Sequence, residues 1–91
     1  MLFLTSYDIS DSQRRLKVMK IMKNYGTRVQ YSVFECILSN EKLEQMKREI
    51  SKVISKDVDS VRIYAVPENM LKQIAIIGVG KVVRDEDFYI I

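Results

Sequence analysis

The sequence predicts an α+β fold, a ferredoxin-like βαββαβ sandwich with an additional C-terminal strand. Two segments with helical apolar spacing alternate with extended, β-branched and aromatic runs. The second extended run, residues 28–38, is long enough to bend into two short strands, which turns strand-helix-strand-helix-strand into β-α-β-β-α-β. At 91 residues there is room for one domain, spanning 1–91. A chain this short buries only a little over ~60% of its unfolded surface, so a lone core is marginal.

Leu2-Phe3-Leu4-Thr5-Ser6-Tyr7 reads as a strand that runs into Asp8-Ile9. Ser10 with Gln13 matches a capping box at the start of the first helix. That helix buries Val18, Met19, Met22 and Tyr25 and turns Lys17, Lys20 and Lys23 to the opposite face. It stops at Gly26, a C′ residue able to take positive φ. The 28–38 run follows with Tyr31, Val33, Phe34 and Ile37. Ser39-Asn40 then caps a second helix that reaches Ser55, with Leu43, Met46, Ile50, Val53 and Ile54 at helical spacing. After a turn at 57–59, residues 60–66 form a strand ended by Pro67-Glu68-Asn69. Residues 70–73 make one helical turn, and 74–79 a further strand marked at its end by Gly78 and Gly80. A charged turn at 84–87 leads to a terminal strand at 88–91.

Two helices cover one face of such a sheet. The strands, however, do not alternate apolar with polar: Leu2-Phe3-Leu4, Val33-Phe34, Tyr64-Ala65-Val66 and Ile74-Ala75-Ile76-Ile77 are apolar on both faces. The second face must be buried against something, and a two-fold copy of the chain is the simplest cover. The terminal strand is expected to extend the partner's sheet, although an ordinary edge strand within one protomer gives the same sequence.

Composition narrows the chemistry. The chain has no histidine, which removes Ser-His and Cys-His nucleophile pairs, His general bases and most zinc sites. Any chemistry must run on carboxylates, hydroxyls and a hard metal ion. The one cysteine, Cys36, excludes an internal disulfide and fits a reducing, cytoplasmic setting; no stretch approaches the ~20 apolar residues of a membrane span. The net charge of +3 is unevenly placed: residues 1–36 hold six Lys or Arg against three Asp or Glu, while 37–91 hold nine of each. Such a field attracts phosphates. A solvated helix face gives the same pattern.

Asp8 is the residue this chemistry selects, at a strand end where a strand-to-helix junction exposes the side chain. Its alternative role is to cap the helix, but Ser10 already does so in this reading. Two copies of Asp8, one from each protomer, would share one Mg²⁺, an ion that accepts one or two carboxylates plus waters. Arg15 falls among the apolar helix positions, so its fork either reaches back beside Asp8 or snorkels to solvent. Arg14 and Arg28 extend the positive surface, and Tyr7 neighbours Asp8 but points to the other face of the strand.

The run Tyr7-Asp8-Ile9-Ser10-Asp11 with Arg14-Arg15, followed by Arg28-Val29-Gln30-Tyr31-Ser32-Val33-Phe34-Glu35, is similar to the CRISPR-associated endoribonuclease family of small adaptation proteins. The resemblance implies a two-fold dimer with a magnesium site between the copies of Asp8. It implies metal-dependent cleavage of single-stranded RNA in some members and of duplex DNA in others. Tyr7 and Asp8 match the family's strand-end pair, Arg15 its first basic helix residue and Arg28 the arginine opening the second signature. Ser32 and Phe34 match the middle of that signature. Lys17 stands where some members carry a second arginine; it keeps the charge and loses the bidentate fork. The resemblance also implies a non-catalytic role, in which the dimer bridges two CRISPR integrase dimers along a DNA fragment. An RNA-recognition module on the same fold needs base-stacking aromatics on its central strands, and Val61-Arg62-Ile63-Tyr64 lacks that pattern.

Overall fold

The computed structural model describes residues 1–82. Its elements run β1 (Leu2–Asp8), α1 (Ser12–Tyr25), β2 (Thr27–Gln30), β3 (Val33–Ile37), α2 (Asn40–Ser51) and β4 (Ser60–Val66), followed by a 3₁₀ turn at Glu68–Gln73. The strands form one antiparallel sheet in the order β2-β3-β1-β4. This is the βαββαβ arrangement, with the 28–38 run broken into β2 and β3 as its length suggests.

The core lies between the sheet and the two helices. From β1 it takes Phe3 and Tyr7, from β3 Phe34 and Cys36, and from the helices Val18, Met22, Met46 and Ile50. Thr5, a buried polar residue of this layer, has its hydroxyl 3.4 Å from the Phe34 carbonyl and 3.5 Å from the Met22 sulfur. These contacts offset the cost of burying a hydroxyl. Strand parity sends Leu4, Ser6 and Asp8 to the opposite, open face, together with Val33, Glu35 and Ile37 of β3 and Arg62, Tyr64 and Val66 of β4.

Four local expectations change. The cap of α1 is Asp11, not Ser10: its carboxylate accepts the Arg14 N–H at 2.9 Å, one residue further along than the capping box implies. Gly26 is extended, with φ −164°, rather than left-handed. Glycine is required there by close approach: a Cβ would collide with the Glu35 carbonyl oxygen and the Cys36 sulfur and stand 2.9 Å from the Cys36 Cα. Helix α2 ends at Ser51, short of Ser55. The Ser55 N–H donates to the Asp59 carboxylate at 2.8 Å while the Asp59 N–H returns to the Ser55 carbonyl at 2.8 Å, a local loop that competes with the helix ladder. Residues 74–79 are not a strand; no chain segment among the described residues pairs with them, and Ile77 and Val79 are fully exposed. The charged turn at 84–87 and the terminal strand at 88–91 lie outside the described residues.

Asp59 also receives the Arg14 fork, Nε at 2.7 Å and a terminal nitrogen at 3.3 Å, which ties the first turn of α1 to the loop before β4. Its side chain is almost wholly buried. The Arg14 hydrogen bond, helped by the Ser55 N–H and opposed by burial, holds the Asp59 carboxyl below its usual range and raises the arginine in turn.

Both features of this packing can be tested by substitution. Gly26→Ala should cost about 3 kcal/mol, the upper part of the overpacking range, because the neighbour that must move is backbone. A urea midpoint equal to wild type would refute the close approach. For Asp59, a folded-state pKa below the unfolded one gives stability that is present above the unfolded value of about 3.9 and lost as pH falls through the folded value. The gap in melting temperature between wild type and Asp59→Asn should therefore be constant near neutrality and shrink on acidification below about pH 4. A gap that does not depend on pH would contradict the ion pair.

Candidate functional site

The parity of β1 sends its last two residues to different sides. Asp8 is exposed, ends β1 opposite Ser60 and belongs to the open sheet face. Along that face the next position is Ser6, flanked by Val33 on one side and Arg62 on the other. The Arg62 guanidinium donates to the Tyr64 hydroxyl at 3.4 Å. Asp8 is thus a carboxylate at the rim of a largely apolar surface.

On the helix side, four of the residues singled out from sequence come together. Tyr7, Arg15, Arg28 and Ser32 line one depression of about 340 Å³, with Ser12, Leu16, Met19 and Tyr31. Its floor is fixed by a single carbonyl. The Tyr31 C=O accepts the Tyr7 hydroxyl at 3.1 Å and both Nε and a terminal nitrogen of Arg28, at 3.0 and 2.8 Å. The Tyr7 N–H donates to the Ser32 carbonyl at 3.1 Å, which continues the β1–β3 pairing into the turn after β2. Arg15 lies over the end of β1, with one terminal nitrogen donating to the carbonyls of Ile9 and Ser10 at 3.0 and 3.1 Å. It reaches the strand end, one of the two alternatives that the sequence leaves open, but meets backbone rather than the Asp8 carboxylate.

The remaining candidates are placed differently. Arg14 is held by Asp59, so its charge serves the fold first. Lys17 is exposed on the outer face of α1 with Lys20 and Lys23. Phe34 is fully buried and stacks 6.5 Å from the Tyr7 ring at 30°, so it supports Tyr7 and presents no surface of its own. Two residues of the second signature are given no role of their own in the sequence. Tyr31 reads there as a strand residue within the motif, yet it is 88% exposed. Glu35 sits on the open face between Leu4 and Thr27, and burial pushes its carboxyl up. An acid in an otherwise apolar strand is the available signal. One Glu35 carboxylate oxygen is buried with no partner among the described residues.

A hard cation wants carboxylate oxygens, and Asp8 offers them in an accessible position. Among the described residues no three acidic or other ligating side chains cluster. Asp8 is the residue that would hold such an ion, whose remaining positions waters can fill.

Comparison with known proteins gives the family. The model of the CRISPR associated protein Cas2 family matches residues 1–74. A CRISPR-associated endoribonuclease Cas2 of Thermodesulfovibrio yellowstonii is 47% identical over 89 residues, 96% of each chain. The crystal structure of Cas2 from Streptococcus pyogenes superposes with TM-score 0.75 at 30% identity, covering 86% of this chain and 100% of that one. A chain of a partial Cas6-RT-Cas1–Cas2 complex matches with TM-score 0.71 at 24% identity, over 84% and 89%, a likeness of fold. The βαββαβ sheet and a family match running through β4 agree, and the chain belongs to the CRISPR-associated Cas2 family of nucleases.

Proposed function

We propose that the chain acts as a homodimer that binds a polynucleotide and cuts its phosphodiester backbone with one magnesium ion held between the two copies of Asp8. The observation that carries this reading is the position of Asp8, exposed at the rim of an open sheet face whose other members are largely apolar. A second copy covering that face would bury Leu4, Val33, Ile37 and Tyr64 and bring one Asp8 toward the other. The apolar residues 74–79, with Ile77 and Val79 fully exposed, add to the surface such a copy would cover.

When bound, magnesium lowers the pKa of a coordinated water and polarises a phosphate. The chain's own residues do the rest. Asp8 holds the ion. Arg15 and Arg28 take phosphate oxygens through charge-assisted hydrogen bonds, for which the planar fork is suited. Tyr7, pinned to the Tyr31 carbonyl, fixes the turn after β2, whose same carbonyl holds the Arg28 guanidinium. Lys17 contributes charge without the fork. Single-stranded RNA and duplex DNA are both in scope as substrates, and the free thiol of Cys36 is in keeping with a reducing, cytoplasmic setting.

A second reading has its own observation. Lys17, Lys20 and Lys23 form an exposed basic row on α1, well separated from the open sheet face. That row suits a duplex lying along the dimer while it bridges CRISPR integrase dimers, and the fold match to a chain of a Cas1–Cas2 complex is in keeping with it. In this role Asp8 is dispensable, and one protein can serve both roles.

Asp8→Asn should abolish Mg²⁺-dependent cleavage in an assay on RNA and DNA while sedimentation still reports a dimer. Cleavage that persists in the variant would remove Asp8 from the mechanism. Replacing Lys17, Lys20 and Lys23 with Glu should weaken duplex binding. It should also flatten the dependence of log K on log salt by about 0.9 for each phosphate no longer neutralised. Unchanged binding would show that duplex DNA does not run along α1.

A further inference from the structure

Among the exposed large side chains, Tyr31 stands apart. Tyr64 belongs to the open sheet face, and Ile76, Ile77 and Val79 to the apolar segment after the 3₁₀ turn. Tyr31 lies instead beside two arginines, between the depression it shares with Tyr7, Arg15, Leu16, Met19 and Arg28 and a second one lined by residues 28–32. It is 88% exposed. The Arg28 guanidinium sits over its ring, 5.6 Å from the centroid. The Tyr31 backbone is held at its carbonyl by three donors, so the ring projects from a fixed point.

We infer that Tyr31 is a stacking platform for an unpaired base of a single-stranded polynucleotide. Arg28 backs one face of the ring, and the base occupies the other. This deepens the reading of the surface as nucleic-acid-binding and rests on it. A base presents an aromatic face only when it is free of its neighbours in a duplex, so a platform of this kind favours single strands and is tolerant of sequence. The guanidinium restrains the ring through a cation–π contact, and the pinned carbonyl restrains the loop, so little conformational freedom is left to lose on binding. Arg15 and Arg28 lie on the same depression as the ring, where the phosphates flanking a stacked base need positive charge. Tyr7 cannot serve as the platform, because its ring is buried against Phe34.

The substitution that tests this is benign for the fold, because the three donors meet the Tyr31 backbone and not its side chain. Wild type, Tyr31→Ala and Tyr31→Phe are titrated with a fluorescein-labelled single-stranded oligonucleotide, its abasic analogue of equal length, and a duplex. Tyr31→Ala should weaken binding of the base-bearing single strand by roughly five- to hundredfold, the range for loss of one base–aromatic stack. Binding of the abasic strand and of the duplex should be unaltered, and Tyr31→Phe should match wild type because the ring is kept. Equal single-strand affinity of wild type and Tyr31→Ala, with wild type binding normally, would overturn the platform and leave the phosphate reading intact. Failure of wild type to bind any of the three probes would overturn both. A shift of Tyr31→Ala from dimer to monomer in sedimentation would reassign the ring to a protein interface and overturn the platform.

Discussion

The alternation of side chains along β1 is the constraint on which the rest depends. A strand places successive residues on opposite faces, and here the sorting is chemical as well as geometric. Phe3, Thr5 and Tyr7 enter the core under the helices, while Leu4, Ser6 and Asp8 go to the open face. Moving the strand by one residue would bury the carboxylate and expose Phe3 and Tyr7, so the register that builds the core also exposes the acid. Stability and function are set by the same pairing with β3 and β4.

Two polar ties then hold the loops that the sheet leaves free. The Arg14–Asp59 fork joins the start of α1 to the loop before β4, and the Tyr31 carbonyl gathers Tyr7 and Arg28 at the turn between β2 and β3. Both lie at the end of the sheet where β1 delivers Asp8. The arginines of the first helix therefore divide their work: Arg14 is committed to architecture, whereas Arg15 donates to backbone carbonyls at the strand end. Among the described residues its other N–H groups have no acceptor, which is the condition for taking a phosphate.

Most of the architecture is legible in the sequence because it rests on local periodicity. The helical spacing of Val18, Met22, Met46 and Ile50 and the length of the 28–38 run give the element order and the double strand. Departures arise where a non-local contact decides. Gly26 reads as a left-handed helix stop, but its need is set by Glu35 and Cys36 on a neighbouring strand, invisible from its own flanks. Ser55 reads as helical, and only the folded loop shows Asp59 capturing its N–H. Residues 74–79 have the composition of a strand and lack a partner within the described chain. The site divides in the same way: Asp8 is marked by its place at a strand end, while Tyr31 lies within the second motif but is given no role by it, because exposure and the stacked Arg28 exist only once the turn is folded. The family is legible from the two motifs that border this end of the sheet.

Metal stoichiometry decides whether one ion is shared by two chains. Titrating the protein with Mn²⁺, a paramagnetic stand-in for Mg²⁺, and counting free ion by electron paramagnetic resonance gives ions bound per chain. Sharing predicts one ion for every two chains, with binding abolished in Asp8→Asn. One ion per chain, or binding that survives the substitution, would contradict it.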